Sequence, residues 1–293
     1  MNTFNATFCN LGATGRLGPT LLGSYYIGKD HEKMVTIQNG IQYWTVPYDG
    51  TYEITAVGAS GGYDKFGSSS ARGRGAYMRG EFHLNSGDVL KILVGQEGVK
   101  NIKRYSSGGG GGTFVVTASN TPLIIAGGGG GTQKLDNRLP NCDASINTSG
   151  KKNACNDSCS TWSGGVNGSG ALEADDHYSG GGGGGFYSNG RSGKDFGGVS
   201  GEGGEGGRAF LQGGAGGRAH YYNAVGGFGG GGGAWGWGRG GGGGGGYSGG
   251  ASGDNKWHSC GGGGGSFNSG KNRLNKEGYL ATGHGFVVIK LSP

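Results

Sequence analysis

Apolar residues gather in four short stretches of this 293-residue chain, at 41–57, 76–94, 113–126 and 286–291, and thin out between them. Within these stretches the dominant period is two. Residues 41–46 read as a strand stopped by Pro47, which cannot donate to a ladder, with Tyr48, Asp49 and Gly50 as the turn. Residues 51–57 follow at hairpin distance, with Tyr52, Ile54 and Ala56 on one face and Thr51, Glu53 and Thr55 on the other. Residues 76–84 alternate likewise, with Ala76, Met78, Phe82 and Leu84 inward and Tyr77, Arg79, Glu81 and His83 outward. A turn at 85–88 leads to 89–94, which reads as a short, nearly all-apolar buried strand. Strands are also predicted at 113–117, 123–126 and 286–291, and nothing shows a helical period. The pattern predicts an all-β fold, an antiparallel sandwich or jelly roll.

Glycine fills most of the space between these strands. There are 79 glycines, with unbroken runs at 108–112, 127–131, 180–185, 229–233, 240–246 and 261–265. A terminal strand cannot stand alone, so 286–291 is expected to complete the sandwich begun upstream. The expected organisation is therefore a sandwich of residues 1–126 plus 283–293 and a glycine-rich insertion, 127–282, whose segments run out and back. Collagen is excluded, because the chain has five prolines and no G-X-Y period. The glycine runs match dinucleotide-binding fingerprints by chance, but no helix follows any of them. A flexible linker is the compositional default. Against it stand the aromatics bordering the runs, Phe186, Phe228, Trp235, Trp237, Tyr247 and Phe267, since disordered segments are poor in such residues. The favoured expectation is a bundle of polyglycine-II helices. That helix has three residues per turn and an exposed backbone, so a surrounded strand of it has no room for a Cβ on any side.

Cysteine and asparagine place the chain. Cys9, Cys142, Cys155, Cys159 and Cys260 are expected to form disulfides, the pairing open and the odd thiol either left over or paired with another chain. N-x-S/T sequons begin at Asn5, Asn147, Asn156 and Asn167, and three of them share with three cysteines a surface excursion near 132–179. Together they predict an extracellular or cell-surface glycoprotein. A zinc site from Cys142, Cys155, Cys159 and His177 is not expected, because the spacing matches no zinc-ligand pattern. No metal or other cofactor is expected. No 18-residue apolar stretch exists, so no membrane span is expected. No apolar leader follows Met1, which predicts a mature or excised piece, or an added Met.

The net charge of +6 suits anionic partners such as glycans or acidic proteins, or simply solubility. Nucleic acid is not expected, since only Arg239-Gly240-Gly241 fits an RGG element and no RNA-recognition motif is present. Nor is catalysis. The histidines (His31, His83, His177, His220, His258 and His284) lie scattered without a paired nucleophile, Asp175-Asp176-His177 reads as a solvated loop, and His284 reads as structural.

An ordered series of non-glycine anchors resembles the glycine-rich extracellular domain of the anaplastic lymphoma kinase and leukocyte tyrosine kinase receptors. The series opens with Phe8-Cys9, Gly12-Ala13-Thr14-Gly15 and Gly18-Pro19-Thr20. It continues with Gly40-Ile41-Gln42, Trp44, Val46-Pro47, Ile92-Leu93-Val94-Gly95-Gln96 and Pro122-Leu123-Ile124-Ile125-Ala126. It closes with Trp235-Gly236-Trp237 and Gly283-His284-Gly285. The resemblance implies a TNF-like β-sandwich carrying the polyglycine-helix bundle, and a non-catalytic extracellular domain that binds a protein ligand and supports dimerisation. This chain departs from the family in its short 99–107 segment and its basic charge.

Two functions follow. One is a secreted structural, adhesive or protein-binding module; the other is the ligand-binding ectodomain of a receptor tyrosine kinase. Partners are expected among extracellular proteins and glycans, self-association included. Trp235, Trp237 and Arg239 form the candidate contact patch, weighed against a role in cladding the bundle.

Overall fold

The computed structural model describes residues 3–174, 177–199 and 201–292. Eight strands lie upstream of most of the glycine: β1 (Asn5–Phe8), β2 (Val35–Gln38), β3 (Ile41–Thr45), β4 (Gly50–Val57), β5 (Gly75–Leu84), β6 (Val89–Leu93), β7 (Thr113–Thr117) and β8 (Pro122–Ala126). Three two-residue strands lie inside the glycine-rich stretch, β9 (Thr132–Gln133), β10 (Ala154–Cys155) and β11 (Ser259–Cys260). Then come β12 (Phe267–Asn268), β13 (Lys271–Leu280) and β14 (Phe286–Leu291). The helical elements described are short 3-10 turns, and no described helix is long and apolar enough to cross a membrane.

Two antiparallel sheets form a sandwich. One has the order β1-β14-β4-β5-β13 and the other β12-β8-β7-β6-β3-β2. The two-residue alternation sorts side chains as predicted. Tyr52, Ile54 and Ala56 of β4 and Ala76, Met78, Phe82 and Leu84 of β5 share a core with Trp44, Leu90, Ile92, Val115 and Ile124 of the other sheet. The terminal strand β14 lies between β1 and β4, with Ile289 opposite Ile54.

Three features differ from the sequence reading. Residues 41–46 and 51–57 do not form a hairpin: β3 pairs with β2 and β6, and β4 with β5 and β14. The Pro47 turn instead carries the chain from one sheet to the other, and Trp44 meets Tyr52 edge-on at 5.9 Å across the sandwich. Strand β13 was read as part of the glycine-rich stretch, yet it pairs with β5 along the sheet edge, with two register shifts. Its side chains are mostly exposed and polar, so no apolar alternation marks it. The expected surface excursion near 132–179 is partly woven inward. Cys142, Asp143, Ala144 and Ser145 are buried, and the Lys151 amide donates to Gly263 O at 2.8 Å.

The six-stranded sheet is covered on its outer side as well. Ile41, Leu93, Phe114, Val116 and Ile125 meet Phe186, Phe210 and Phe228 from the glycine-rich region. This explains why Leu93 of β6 and Phe114 and Val116 of β7, which face away from the sandwich core, are apolar.

The glycine runs carry no helix or strand assignment; they bind one another laterally. Run 240–246 lies at the centre. The amides of Gly242, Gly243, Gly244, Gly245 and Gly246 donate to Ser107, Gly181, Gly262, Gly110 and Gly184. The carbonyls of Gly241, Gly242, Gly243, Gly244 and Gly245 accept from Gly253, Gly131, Gly232, Gly250 and Gly128. Buried backbone polar groups must be paired, and here they are paired between segments. A Cβ at Gly241 or Gly244 would strike the backbone of Gly131 or Gly128, and one at Gly242 or Gly245 that of Gly232 or Gly229. A Cβ at Gly243 or Gly246 would strike Gly250 or Gly265. Gly241 and Gly244 thus face run 127–131, Gly242 and Gly245 face run 229–233, and Gly243 and Gly246 face two further segments, so none of the six has room for a side chain.

Two disulfides fasten this region. Cys142 pairs with Cys260 and Cys155 with Cys159, so these sulfurs are not zinc ligands; Cys9 is a free thiol. The first closes a separation of 118 residues between buried positions, and in the loop-entropy picture such a link stabilises by about 2–5 kcal/mol. The Cys142→Ser/Cys260→Ser double variant is expected to lose stability in that range, read as a lower urea midpoint. The Cys155→Ser/Cys159→Ser variant, which opens a separation of only 4, should lose less. Equal midpoints for the two variants would show that the long link does not hold the region.

Candidate binding surface

Aromatic residues stand just beyond both ends of the glycine runs. Phe114, Phe186, Tyr247 and Phe267 follow the runs at 108–112, 180–185, 240–246 and 261–265, and Phe228 precedes the run at 229–233. All of them belong to the cluster docked on the sandwich. At the opposite ends, Tyr105, Tyr178 and Trp257 precede three of these runs, Arg239 directly precedes 240–246, and Trp235 follows 229–233. Because the runs pack side by side, these residues converge. With Tyr221, Trp237 and Glu202 they line an open cavity of about 530 Å³.

Trp235 forms the floor. It is buried, stacks on His220 at 4.3 Å, and meets Tyr221 edge-on at 5.1 Å and Tyr178 at 4.7 Å. The surrounding rings enclose Trp235, so within the candidate patch it packs as cladding does, while Trp237 stays open. Trp237 is 52% exposed and touches Tyr221 edge-on at 5.5 Å. Gly236 between them has φ +95°, and a Cβ there would strike the Tyr221 carbonyl, so only glycine lets one indole point in and the next point out. On the far wall Trp257, 49% exposed, meets Tyr105 edge-on at 4.5 Å, and Tyr105 stacks on Phe66 at 4.2 Å.

Cations lie on the same rings. Arg239 sits 5.2 Å from the Tyr178 centroid, Arg104 5.9 Å from Trp237, Lys134 4.9 Å from Trp257 and Lys65 5.6 Å from Phe66. Cation–π contacts of this kind hold long side chains in place.

Buried polar residues fix the loops that carry the rings. Asn101 donates to the carbonyls of Tyr105, Ser106 and Gly236 at 2.9, 3.0 and 2.7 Å, and accepts from the amides of Lys103 and Arg104. Asp64 accepts from the amides of Phe66, Ser106 and Lys134. Burial pushes the Asp64 carboxyl above its ordinary value, and these amides pull it part of the way back. One aspartate thus ties together three of the loops that form the wall.

Trp235, Trp237 and Arg239 are therefore brought together, while Tyr105, Tyr178, Tyr221 and Trp257 were missed. For Tyr105, Tyr178 and Trp257 the signal lay in the sequence, as aromatics placed just outside the ends of glycine runs that must lie side by side; Tyr221 adjoins none of these runs and carried no such signal. The sequon asparagines Asn5, Asn147, Asn156 and Asn167 are all exposed. Asp175 and Asp176 lie outside the described residues.

A smaller cavity of about 300 Å³ is lined by Arg72, Tyr63, Glu97 and His284. Arg72 is paired with Glu97 and lies over Tyr63 at 4.9 Å. His284 Nδ1 accepts from the Glu97 amide at 3.0 Å, and burial holds the imidazole below its ordinary pKa, so it is neutral and joins the start of β14 to the loop after β6. Among the described residues, no group of three or more His, Cys, Asp or Glu is arranged to hold a metal ion.

No known family profile matches the chain. Among curated proteins, the leukocyte tyrosine kinase receptor of mouse (Mus musculus) is 38% identical over 96 residues, covering 31% of this chain and 11% of that receptor. The chain thus shares a short stretch with a receptor protein and spans about a tenth of its length.

Proposed function

We propose that this chain is a non-catalytic extracellular binding domain, in which a TNF-like sandwich carries a rigid bundle of polyglycine-II helices and the bundle presents a contact surface at its free end. The observation that carries the reading is the convergence of Tyr105, Tyr178, Trp235, Trp237 and Trp257 from separate glycine-run ends into one open cavity. Tyrosine and tryptophan supply large contact area at small entropic cost, and a partly exposed group of them marks a binding surface. The disulfides, the exposed sequons and the receptor likeness support a setting outside the cell.

The test is binding of the purified chain to intact cell surfaces and immobilised extracellular matrix of the source organism. Trp237→Ala and Trp257→Ala should each weaken binding at least about tenfold, taking the stacking contact as worth more than 1.4 kcal/mol, while Tyr279→Ala on β13 should not. Equal binding by all three variants would contradict the reading. The receptor likeness favours a second form of it, the ectodomain of a receptor tyrosine kinase. Sequencing transcripts past the Pro293 codon tests that form: a membrane span and kinase support it, and a native stop codon there contradicts it.

A further inference from the structure

We propose that the aromatic cavity binds an acidic polysaccharide, a chain of pyranose rings bearing carboxylate or sulfate groups. This rests on the reading of the chain as an extracellular binding domain and names the chemistry of its partner.

Two chemistries lie side by side on this surface. The first is flat aromatic area open to solvent, with Trp237 and Trp257 about half exposed. The face of an aromatic ring is electron-rich, and the C–H groups on one side of a pyranose are weakly positive, so a sugar lies flat on an indole. The second is fixed positive charge: Arg239, Arg104, Lys134 and Lys65 each rest on a ring of this surface. Among the described residues, Glu202 is the one carboxylate that lines the cavity.

This balance selects among partners. A cationic ligand would have to displace the protein's own cations from the rings and would meet like charge. A neutral apolar surface would desolvate these cations without pairing them, at a high cost. An acidic peptide supplies the anions but few flat faces. A polysaccharide acid supplies both in regular alternation along its length. A cavity of about 530 Å³ lies in the usual range for small-ligand sites, and its open form suits a segment of a longer chain rather than an enclosed molecule. Single-stranded nucleic acid also offers rings and anions, and it is the sharpest competitor in the test.

The experiment is calorimetric titration of the full chain with a chondroitin sulfate oligosaccharide, a neutral dextran oligosaccharide of equal length, poly-glutamate and a single-stranded oligodeoxynucleotide. Chondroitin sulfate is expected to bind at least about tenfold tighter than each of the others. Trp237→Ala and Trp257→Ala should each cost at least about tenfold, the scale of a lost stacking contact. Arg239→Ala should weaken binding and flatten its salt dependence, with circular dichroism unchanged in every variant. Binding of poly-glutamate or the oligonucleotide as tightly as the polysaccharide would overturn the inference. So would full affinity in Trp237→Ala, which would show attraction by charge alone. If no polysaccharide binds but cell-surface binding still requires Trp237, this inference falls and the binding-domain reading stands; loss of both refutes both.

Discussion

Replacing Gly244 with alanine is expected to destabilise the protein by at least about 3 kcal/mol, the upper range for overpacking a site that cannot yield. The added methyl would strike the Gly128 carbonyl and crowd the amide of Gly264. Both are backbone atoms held in lateral hydrogen bonds, with Gly128 donating to Gly245 O at 2.8 Å and Gly264 to Gly128 O at 2.9 Å. No flexible side chain is there to move aside. The sign of the effect is diagnostic. In a flexible linker the same substitution would be near neutral, because the residue is equally free in the folded and unfolded states and the entropy change cancels. Gly87→Ala is the control: nothing lies within 4 Å of its Cβ position, and its φ of +89° should cost only about 1–2 kcal/mol. Urea midpoints of the two variants decide the matter. A Gly244→Ala midpoint at or above that of Gly87→Ala would contradict the packing.

Glu205→Ala is expected to cost about 2–4 kcal/mol, the scale for losing several charge-assisted hydrogen bonds and stranding a backbone donor. The Glu205 side chain is only 3% exposed and gathers three arginines. It accepts from Arg218 Nε at 2.7 Å and from the Arg218 amide at 2.9 Å, with Arg208 at 3.4 Å and Arg16 at 3.8 Å. Arg16 comes from the segment after β1, so this carboxylate ties the sandwich end of the chain to the glycine runs. Burial by itself would raise the carboxyl pKa; the hydrogen bonds and charge of Arg218, with Arg16, outweigh it and hold the group below its ordinary value. The linkage sign follows. A depressed carboxylate contributes stability above its unfolded pKa and loses it as pH falls through the folded pKa. The gap in stability between the native chain and Glu205→Gln should therefore be widest near about pH 7 and shrink towards about pH 3. Asp64 and Asp143, both raised by burial, act in the opposite sense but are common to both chains and cancel. A gap that stays constant with pH would show that the arginines do not stabilise the charge.

The sandwich was legible where side chains alternate. Tyr52, Ile54, Ala56, Met78 and Leu84 declare their face by position alone, because one side of each strand is core and the other is not. Strand β13 was hidden because its ladder with β5 is made by backbone, and backbone hydrogen bonds leave no mark on residue type. The partner of β3 was misjudged because a short turn serves equally well as a hairpin or as a crossing between sheets. What decides is whether Trp44 and Tyr52 lie side by side or face each other across the core, and a two-residue period cannot tell. The candidate site was half legible. Trp235, Trp237 and Arg239 stand together in sequence and needed no fold. Tyr105, Tyr178 and Trp257 become neighbours of that group only once the glycine runs are placed side by side.

The glycine runs form a laterally hydrogen-bonded lattice that positions the aromatic surface. Amide hydrogen exchange tests it most directly, read at Gly242, Gly243, Gly244 and Gly245, whose amides donate to Ser107, Gly181, Gly262 and Gly110. The lattice predicts protection comparable to that of the β4 and β14 amides at the centre of the sandwich, lost only on global unfolding. Exchange of these glycine amides at the rate of an unstructured chain, while β4 and β14 remain protected, would contradict it.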